Sequence, residues 1–290
     1  MQIHQYAFGN AANDARCAKG PAILKATLEK QPFARHFTWH PSLQVDTNAH
    51  KKSALPDILT LSSKLAQATQ RSVQNKQFFV TLGGDHTAAI GSWNGAAHAL
   101  TGDLGLIWFD AHMDSHTFNT TQSQNIHGMP LAILLGHGDH ALTHLNTQTP
   151  ILKPENVVLI GVRSFEPGEA ALLKKLNVKI FYMTDIEKLG IQTVLQQAVS
   201  IVTKNTAGFG ISIDLDGFDP LDAPGVGMPE KNGVSAHDFL KYFSIVTKNP
   251  KLIGADIVEF NPEKDKENKT VKLILDLFKA LSAATIDTPT

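Results

Sequence analysis

The chain has 290 residues, with 26 Lys and Arg against 27 Asp and Glu, a net charge of −1, and 42% hydrophobic residues. That near-neutral balance, with its basic residues scattered, excludes the basic stripe of a nucleic-acid binder, and no run reaches the ~18 apolar residues of a membrane span. The lone Cys17 rules out an internal disulfide framework and suits a reducing compartment; MQIHQYAFGN lacks a secretory pattern, so a cytoplasmic location is expected.

In chain order, apolar runs read as strands at 77–82, 104–109, 156–161, 178–182, 208–213 and 252–260. Segments with helical periodicity lie between and around them, at 56–74, 87–100, 128–136, 167–176, 190–204, 235–247 and 269–284. Short, nearly unbroken apolar strands alternating with helices predict a mostly parallel sheet covered on both faces. The expected architecture is α/β, a single doubly wound three-layer α/β/α domain spanning 1–290. The charged run EKDKENKT at 263–270 reads as a solvated loop before the last helix. GVGMPE at 225–230 does not follow a strand directly and lacks the third glycine of a dinucleotide fingerprint, so it too reads as a loop.

The polar motifs share one address. GGDH, ending at His86, follows the strand at 77–82. FDAHMDSH carries Asp110, His112 and Asp114 as the strand at 104–109 ends. SIDLDGFDP carries Asp214 and Asp216 after 208–213, and Glu259 closes the strand at 252–260. Open α/β sheets bind ligands beyond the carboxyl ends of their strands, so these segments are expected to meet. In extended backbone, Asp110, His112 and Asp114 would point to one face, with Ala111 and Met113 turned away.

Four carboxylates and two imidazoles can hold two divalent ions side by side. Such a pair can bridge a water, lower its pKa and hold it as hydroxide, which points to a hydrolase. Oxygen and imidazole donors without thiolate suit Mn2+ and accept Mg, Co, Fe or Zn. Four aspartates balance two divalent ions, a bridging hydroxide leaves the cluster slightly anionic, and Glu259 adds further negative charge, so a cationic substrate is favoured. His127, in SQNIHGMP beyond the metal loop, is a candidate proton shuttle because an imidazole titrates near neutrality. Apart from His116, the remaining nine histidines read as structural.

The segments GGDHTAAIGS, FDAHMDSHT, SIDLDGFDP and ADIVEFNP, spread over about 83–262, resemble the ureohydrolases, the binuclear manganese family that includes arginase and agmatinase. The resemblance implies two Mn2+ per subunit. His86 and Asp114 would bind one, His112 and Asp216 the other, and Asp110 and Asp214 would bridge both. It also implies Glu259 on the substrate guanidinium, His127 as the shuttle, a small-molecule guanidino substrate and a homo-oligomer, trimer or hexamer. The arginase branch, which converts L-arginine and water to L-ornithine and urea, is favoured because TTQSQNIHGMP resembles the arginase loop. Its Ser123 and Asn125 would receive an α-carboxylate that agmatine lacks. Agmatine or another guanidino or formimino compound is the alternative substrate.

Three positions depart from the arginase pattern. His116 stands where an asparagine is usual, Gln124 replaces a glycine, and Glu166 falls where an aspartate usually meets the α-amino group. The metal-binding pattern is intact, and the amino-acid end of the pocket is altered.

Overall fold

The structure, a computed structural model, describes residues 1–145 and 150–286. Its centre is a single sheet of eight strands: β1 (Gln2–Tyr6), β2 (Thr38–Leu43), β3 (Phe79–Gly83), β4 (Leu104–Phe109), β5 (Val157–Val162), β6 (Lys179–Tyr182), β7 (Gly208–Asp214) and β8 (Leu252–Val258). They lie in the order β2-β1-β3-β8-β7-β4-β5-β6, and every pairing is parallel. The six strands read from the sequence are all present. β1 and β2 were missed for physical reasons. In QIHQY the buried polar groups are satisfied by partners distant in sequence: His4 Nε2 meets Ser72 Oγ at 3.0 Å, Gln2 Oε1 meets the His40 ring at 2.8 Å, and Gln5 donates to the His40 carbonyl at 2.9 Å. β2 contains Pro41 and is largely exposed, as only an edge strand tolerates.

The helices are α1 (Gly20–Leu28), α2 (Leu55–Gln74), α3 (Ala88–Ala99), α4 (Pro130–Leu134), α5 (His140–Thr143), α6 (Pro167–Leu176), α7 (Met183–Leu189), α8 (Ile191–Thr203), α9 (Ala236–Tyr242), α10 (Ser244–Thr247) and α11 (Lys269–Ile286). Alternating side chains of each strand serve opposite faces of the sheet. In β4, Ile107 and Phe109 join the core under α1, α8, α9 and α11. Leu104, Leu106 and Trp108 join the core under α3, α4 and α6. The expected three-layer architecture is thus present, and its sheet is wholly parallel. None of the helices among the described residues is long and apolar enough to cross a membrane.

Two packing details position the carboxyl edge of the sheet. α2 and α3 touch through backbone: a Cβ on Gly95 would stand 2.0 Å from the Ala66 carbonyl oxygen, and one on Gly91 2.7 Å from that of Ser62. This close approach seats α3 immediately behind the GGDH turn. On the other side, Gly161 adopts φ +100° at a register shift between β5 and β6, a conformation essentially open only to glycine. Arg163 and Ser164 then turn back to donate to the Ala111 carbonyl at 2.9 and 3.0 Å.

Topology explains the location of the crevice. β3 and β4 are consecutive in the chain but are separated in the sheet by β8 and β7. The chain diverges there, and the late strands fill the gap. The carboxyl ends of β3, β8, β7 and β4 are therefore neighbours, and each leads into one of the four motif segments.

Candidate active site

Asp110 follows β4 and starts a loop, not an extended run. This corrects the expectation that Asp110, His112 and Asp114 share one face of extended backbone. Asp110 Oδ1 accepts the His112 N–H at 2.7 Å, and Asp114 has a left-handed φ of 45°. The turn gathers the three side chains, while Ala111 and Met113 are fully buried on the core side, as expected. A second turn of the same type forms where Asp214 Oδ1 accepts the Asp216 N–H at 2.9 Å. Glu259 lies just past β8, also with positive φ, 66°. Non-glycine residues in this region carry local strain that the surrounding structure must hold in place.

The six proposed ligands converge. His86 Nδ1 lies 2.9 Å from Asp114 Oδ2, 3.1 Å from Asp214 Oδ2 and 3.4 Å from Asp110 Oδ2. His112 Nδ1 lies 3.1 Å from Asp216 Oδ2 and 3.5 Å from Asp110 Oδ1. The two oxygens of Asp110 thus face the two imidazoles separately. His86–Asp110–Asp114 and Asp110–His112–Asp216 each form a group able to hold an ion.

The His86 tautomer follows from its partners. Ser212 Oγ donates to Asp256 Oδ1 at 2.5 Å, so it accepts from His86 Nε2 at 2.9 Å. Once Nε2 carries the ring proton, a neutral His86 turns a lone pair at Nδ1 toward three carboxylates. That buried Nδ1 has no hydrogen-bond partner among the described residues despite its close neighbours. Trp108 stacks on the His86 ring, centroids 4.2 Å apart, and donates from Nε1 to Asp110 Oδ2 at 2.9 Å.

Electrostatics give the same answer. Burial, then the charges of Asp216 and Asp110, push the Asp214 carboxyl well above its ordinary range. Burial opposes charge on His86, yet its contacts with Asp110, Asp114 and Asp214 outweigh that and push its pKa well up. Four buried carboxylates cannot all be ionised at neutral pH without compensating positive charge, and divalent ions at Nδ1 of each imidazole would supply it. The donor set and the orphaned nitrogen therefore fit a pair of metal ions.

The cleft above these groups is lined by His112, Asp114, His116, Ser123, Asn125, His127, Ser164, Glu166, Glu169, Asp214, Asp216, Met228, Glu230 and Glu259, with Gly128. Every site residue expected from the sequence lies in this wall or, for His86 and Asp110, buried beneath it. Seven of the lining residues are acidic and none is Lys or Arg among those described, which favours a cationic ligand. Glu259 Oε1 accepts the His86 backbone N–H at 3.0 Å and lies 3.0 Å from His127 Nδ1. Burial opposes charge on His127, but the hydrogen bond and charge of Glu259 prevail and push its pKa up to about 9.

At the far end, Ser123 Oγ accepts the Asn125 N–H at 3.2 Å. Gln124 between them adopts φ 61°, which accounts for the usual glycine there. His116 Nε2 lies 2.9 Å from Glu166 Oε2. Glu166 is the N-cap of α6 in a capping box with Glu169. Glu169, which sequence reading missed, faces the cleft while accepting from Ser115 N–H at 3.1 Å and Glu166 N–H at 3.0 Å. Burial, then the Glu166 carboxylate, push Glu169 up to about 8.

Glu230 and Arg163 were missed as well. Glu230 accepts from Ser164 Oγ at 3.2 Å and lies 3.8 Å from His112 Nε2. The Arg163 guanidinium donates to the carbonyls of Asp216 at 2.6 Å and Glu230 at 2.8 Å, tying the metal loop to the 225–230 segment read only as a loop. The sequence signal for Glu230 was its position in the turn-rich stretch directly after DLDGFDP. Cys17 is buried, and burial pushes its thiol well up, so it is poorly suited to act as a nucleophile.

The parallel sheet with His and Asp donors at its carboxyl edge defines a class, the metal-dependent hydrolases of α/β architecture. Residues 7–283 match the arginase family. The arginase of Brevibacillus brevis is 38% identical over 272 residues, 90% of each chain, and that of Bacillus caldovelox is 40% identical over 78% of this chain and 76% of the other. A crystal structure of arginase from Bacillus subtilis superposes with a TM-score of 0.90, at 34% identity and over 97% of both chains. The chain belongs to the arginase family.

Proposed function

We propose that the protein is a manganese-dependent arginase that hydrolyses L-arginine to L-ornithine and urea. The observation that carries this is the split contact of Asp110, one oxygen toward His86 and the other toward His112, which supports a shared ligand between two ions. His86 and Asp114 would hold one Mn2+, His112 and Asp216 the other, with Asp110 and Asp214 between them. When bound, such a pair supplies the acidity that turns water into hydroxide at neutral pH.

The chain's own groups do the rest. Glu259 receives the guanidinium, and its carboxylate is held for this by the His86 amide and His127. The remaining acidic wall desolvates poorly around an anion and favours the cationic head group. His127 gives a proton to the departing amine. Ser123 and Asn125 take the α-carboxylate, while Glu166, beside His116, takes the α-ammonium group. A homo-oligomer, trimer or hexamer, is carried over from the family resemblance, and sedimentation of the purified protein tests it.

The deciding experiment measures urea release from L-arginine, agmatine and 4-guanidinobutyrate, with manganese supplied and with metal chelated. The reading expects manganese-dependent turnover with the highest kcat/KM on L-arginine. Equal or better turnover of agmatine would move the protein to the alternative substrate, and turnover unaffected by chelation would end the metal reading.

A further inference from the structure

Beyond the paired His and Asp donors, a third set of ligand-type side chains converges. His116, Glu166 and Glu169 place one imidazole nitrogen and two carboxylate oxygens within 4.8 Å of one another. His116 Nε2 stands 2.9 Å from Glu166 Oε2 and 3.3 Å from Glu169 Oε2. Ligands about 2.1 Å from a tetrahedral zinc ion stand roughly 3.4 Å apart, so little movement would admit an ion. The spacing matches that around His86 and His112, where contacts run from 2.9 to 3.5 Å.

The orientation of His116 is fixed from behind. Thr120 Oγ1 accepts the Thr117 N–H at 2.9 Å and donates its only proton to the Thr117 carbonyl at 3.3 Å. It also stands 3.1 Å from His116 Nδ1, a hydrogen bond that anchors the ring from behind. The Nε2 edge of the ring is thereby held toward the Glu166 and Glu169 carboxyl groups. Such fixing of one ring nitrogen by a hydrogen bond is the usual support of a metal-ligating histidine. His116 is 8% exposed and Glu169 3% exposed. Glu169 is immobilised by the Ser115 and Glu166 amides, one on each oxygen. Two carboxyl groups converge on one imidazole nitrogen, that of Glu169 buried and that of Glu166 open to the cleft, a donor set that a cation can occupy.

We propose that His116, Glu166 and Glu169 form a third divalent-cation site, suited to Zn2+, at the amino-acid end of the cleft. One imidazole nitrogen and two carboxylate oxygens are ligand types that zinc accepts, and a fourth position would be open to the cleft. If Glu166 serves the α-ammonium group, as the proposed function has it, an ion there competes with an amino-acid substrate and not with a guanidino compound lacking that amine.

The test begins with protein reconstituted with manganese and dialysed against zinc chloride, with manganese kept in excess. Metal analysis should show one zinc ion taken up per chain with manganese retained. His116→Asn, and separately Glu166→Gln at a half-exposed side chain, should each weaken that uptake at least tenfold without loss of manganese. Thr120→Val should weaken it several-fold by freeing the ring. No zinc uptake, uptake matched mole for mole by manganese loss, or uptake unchanged in both ligand variants would overturn the site. With the site confirmed by binding, zinc should inhibit urea release competitively against L-arginine and spare 4-guanidinobutyrate. Equal inhibition of both would leave the ion site standing and remove the α-ammonium role of Glu166.

Discussion

Ser212→Ala isolates how the second layer of the site governs the first. Ser212 and Asp256 are fully buried, and the chain Asp256–Ser212–His86 runs through contacts of 2.5 and 2.9 Å. Removing the hydroxyl leaves the His86 Nε2–H without its acceptor and Asp256 Oδ1 without its donor. A buried polar group stripped of its partner costs about 1–3 kcal/mol. Part of the carboxylate's share is relieved by protonation, because burial already pushes Asp256 up to about 6. The histidine has no such relief: it loses both its fixed tautomer and its ring orientation. Loss of an outer-layer partner typically costs ~10–100-fold in metal affinity, which is about 1.4–2.7 kcal/mol. Manganese titration by calorimetry should show this drop at the His86 ion, and the thermal stabilisation conferred by saturating manganese should shrink accordingly. The apoprotein should also lose stability, which urea unfolding without metal measures separately. Manganese binding as tight as in the wild type, with only the apoprotein weakened, would refute the claim that Ser212 sets the metal-facing tautomer of His86.

Three further outcomes are expected. His127→Asn should lower kcat by about 10²-fold or more, the usual worth of a positioned acid, with manganese content unchanged by metal analysis; since the shuttle acts protonated, wild-type kcat/KM should fall as pH rises through about 9, and Glu259→Gln should move that limb down. Stability should fall on mild acidification through His4, whose pKa burial, with help from His40 and Arg71, lowers to about 3. A base depressed in the folded state binds fewer protons than in the unfolded chain, so its contribution is present above the unfolded value near 6.5 and is lost as pH falls toward 3, amounting to about 2 kcal/mol between pH 7 and 5; urea unfolding at both pH values should show His4→Gln losing correspondingly less. Gly161→Ala should cost about 1–3 kcal/mol in the same assay, because it forces φ +100° on an L-residue and sets a Cβ 3.1 Å from the Asp110 carbonyl oxygen; a neutral result would mean the β5 bulge relaxes without disturbing the metal loop.

The central strands and the ligand set were legible in the sequence for one reason. A strand buried on both faces must be almost wholly apolar, so the point where the run breaks into GGDH, DAHMD or DLD marks the carboxyl edge of the sheet, and that edge is where a doubly wound fold gathers its ligands. β1 and β2 escaped because His4, Gln2 and Gln5 bury polar groups in pairs with Ser72 and His40. Polarity that is satisfied only by a residue dozens of positions away reads as loop until the partner is known.

The same limit explains what was missed inside the cleft. Glu169 sits one turn into α6, where an acidic residue is the ordinary complement of a helix N-terminus, and its local role is real: it accepts the Glu166 amide. Only the fold reveals that the cap also receives the Ser115 amide from the metal loop and faces His116. Glu230 is hidden in a different way. Its backbone is anchored by Arg163, which spans from the end of β5 to the loop after β7, so its side chain enters the site through an arginine whose carbonyl partners carry no side-chain signature. Ligands to a metal announce themselves by residue type and spacing. Residues that shape the substrate end arrive singly from caps and loops, and their chemistry becomes readable only once the turn that carries them is placed. In this chain two of the three departures from the family pattern, His116 and Glu166, fall in that second group, and they meet each other only because the loop after β4 and the cap of α6 share one wall of the cleft.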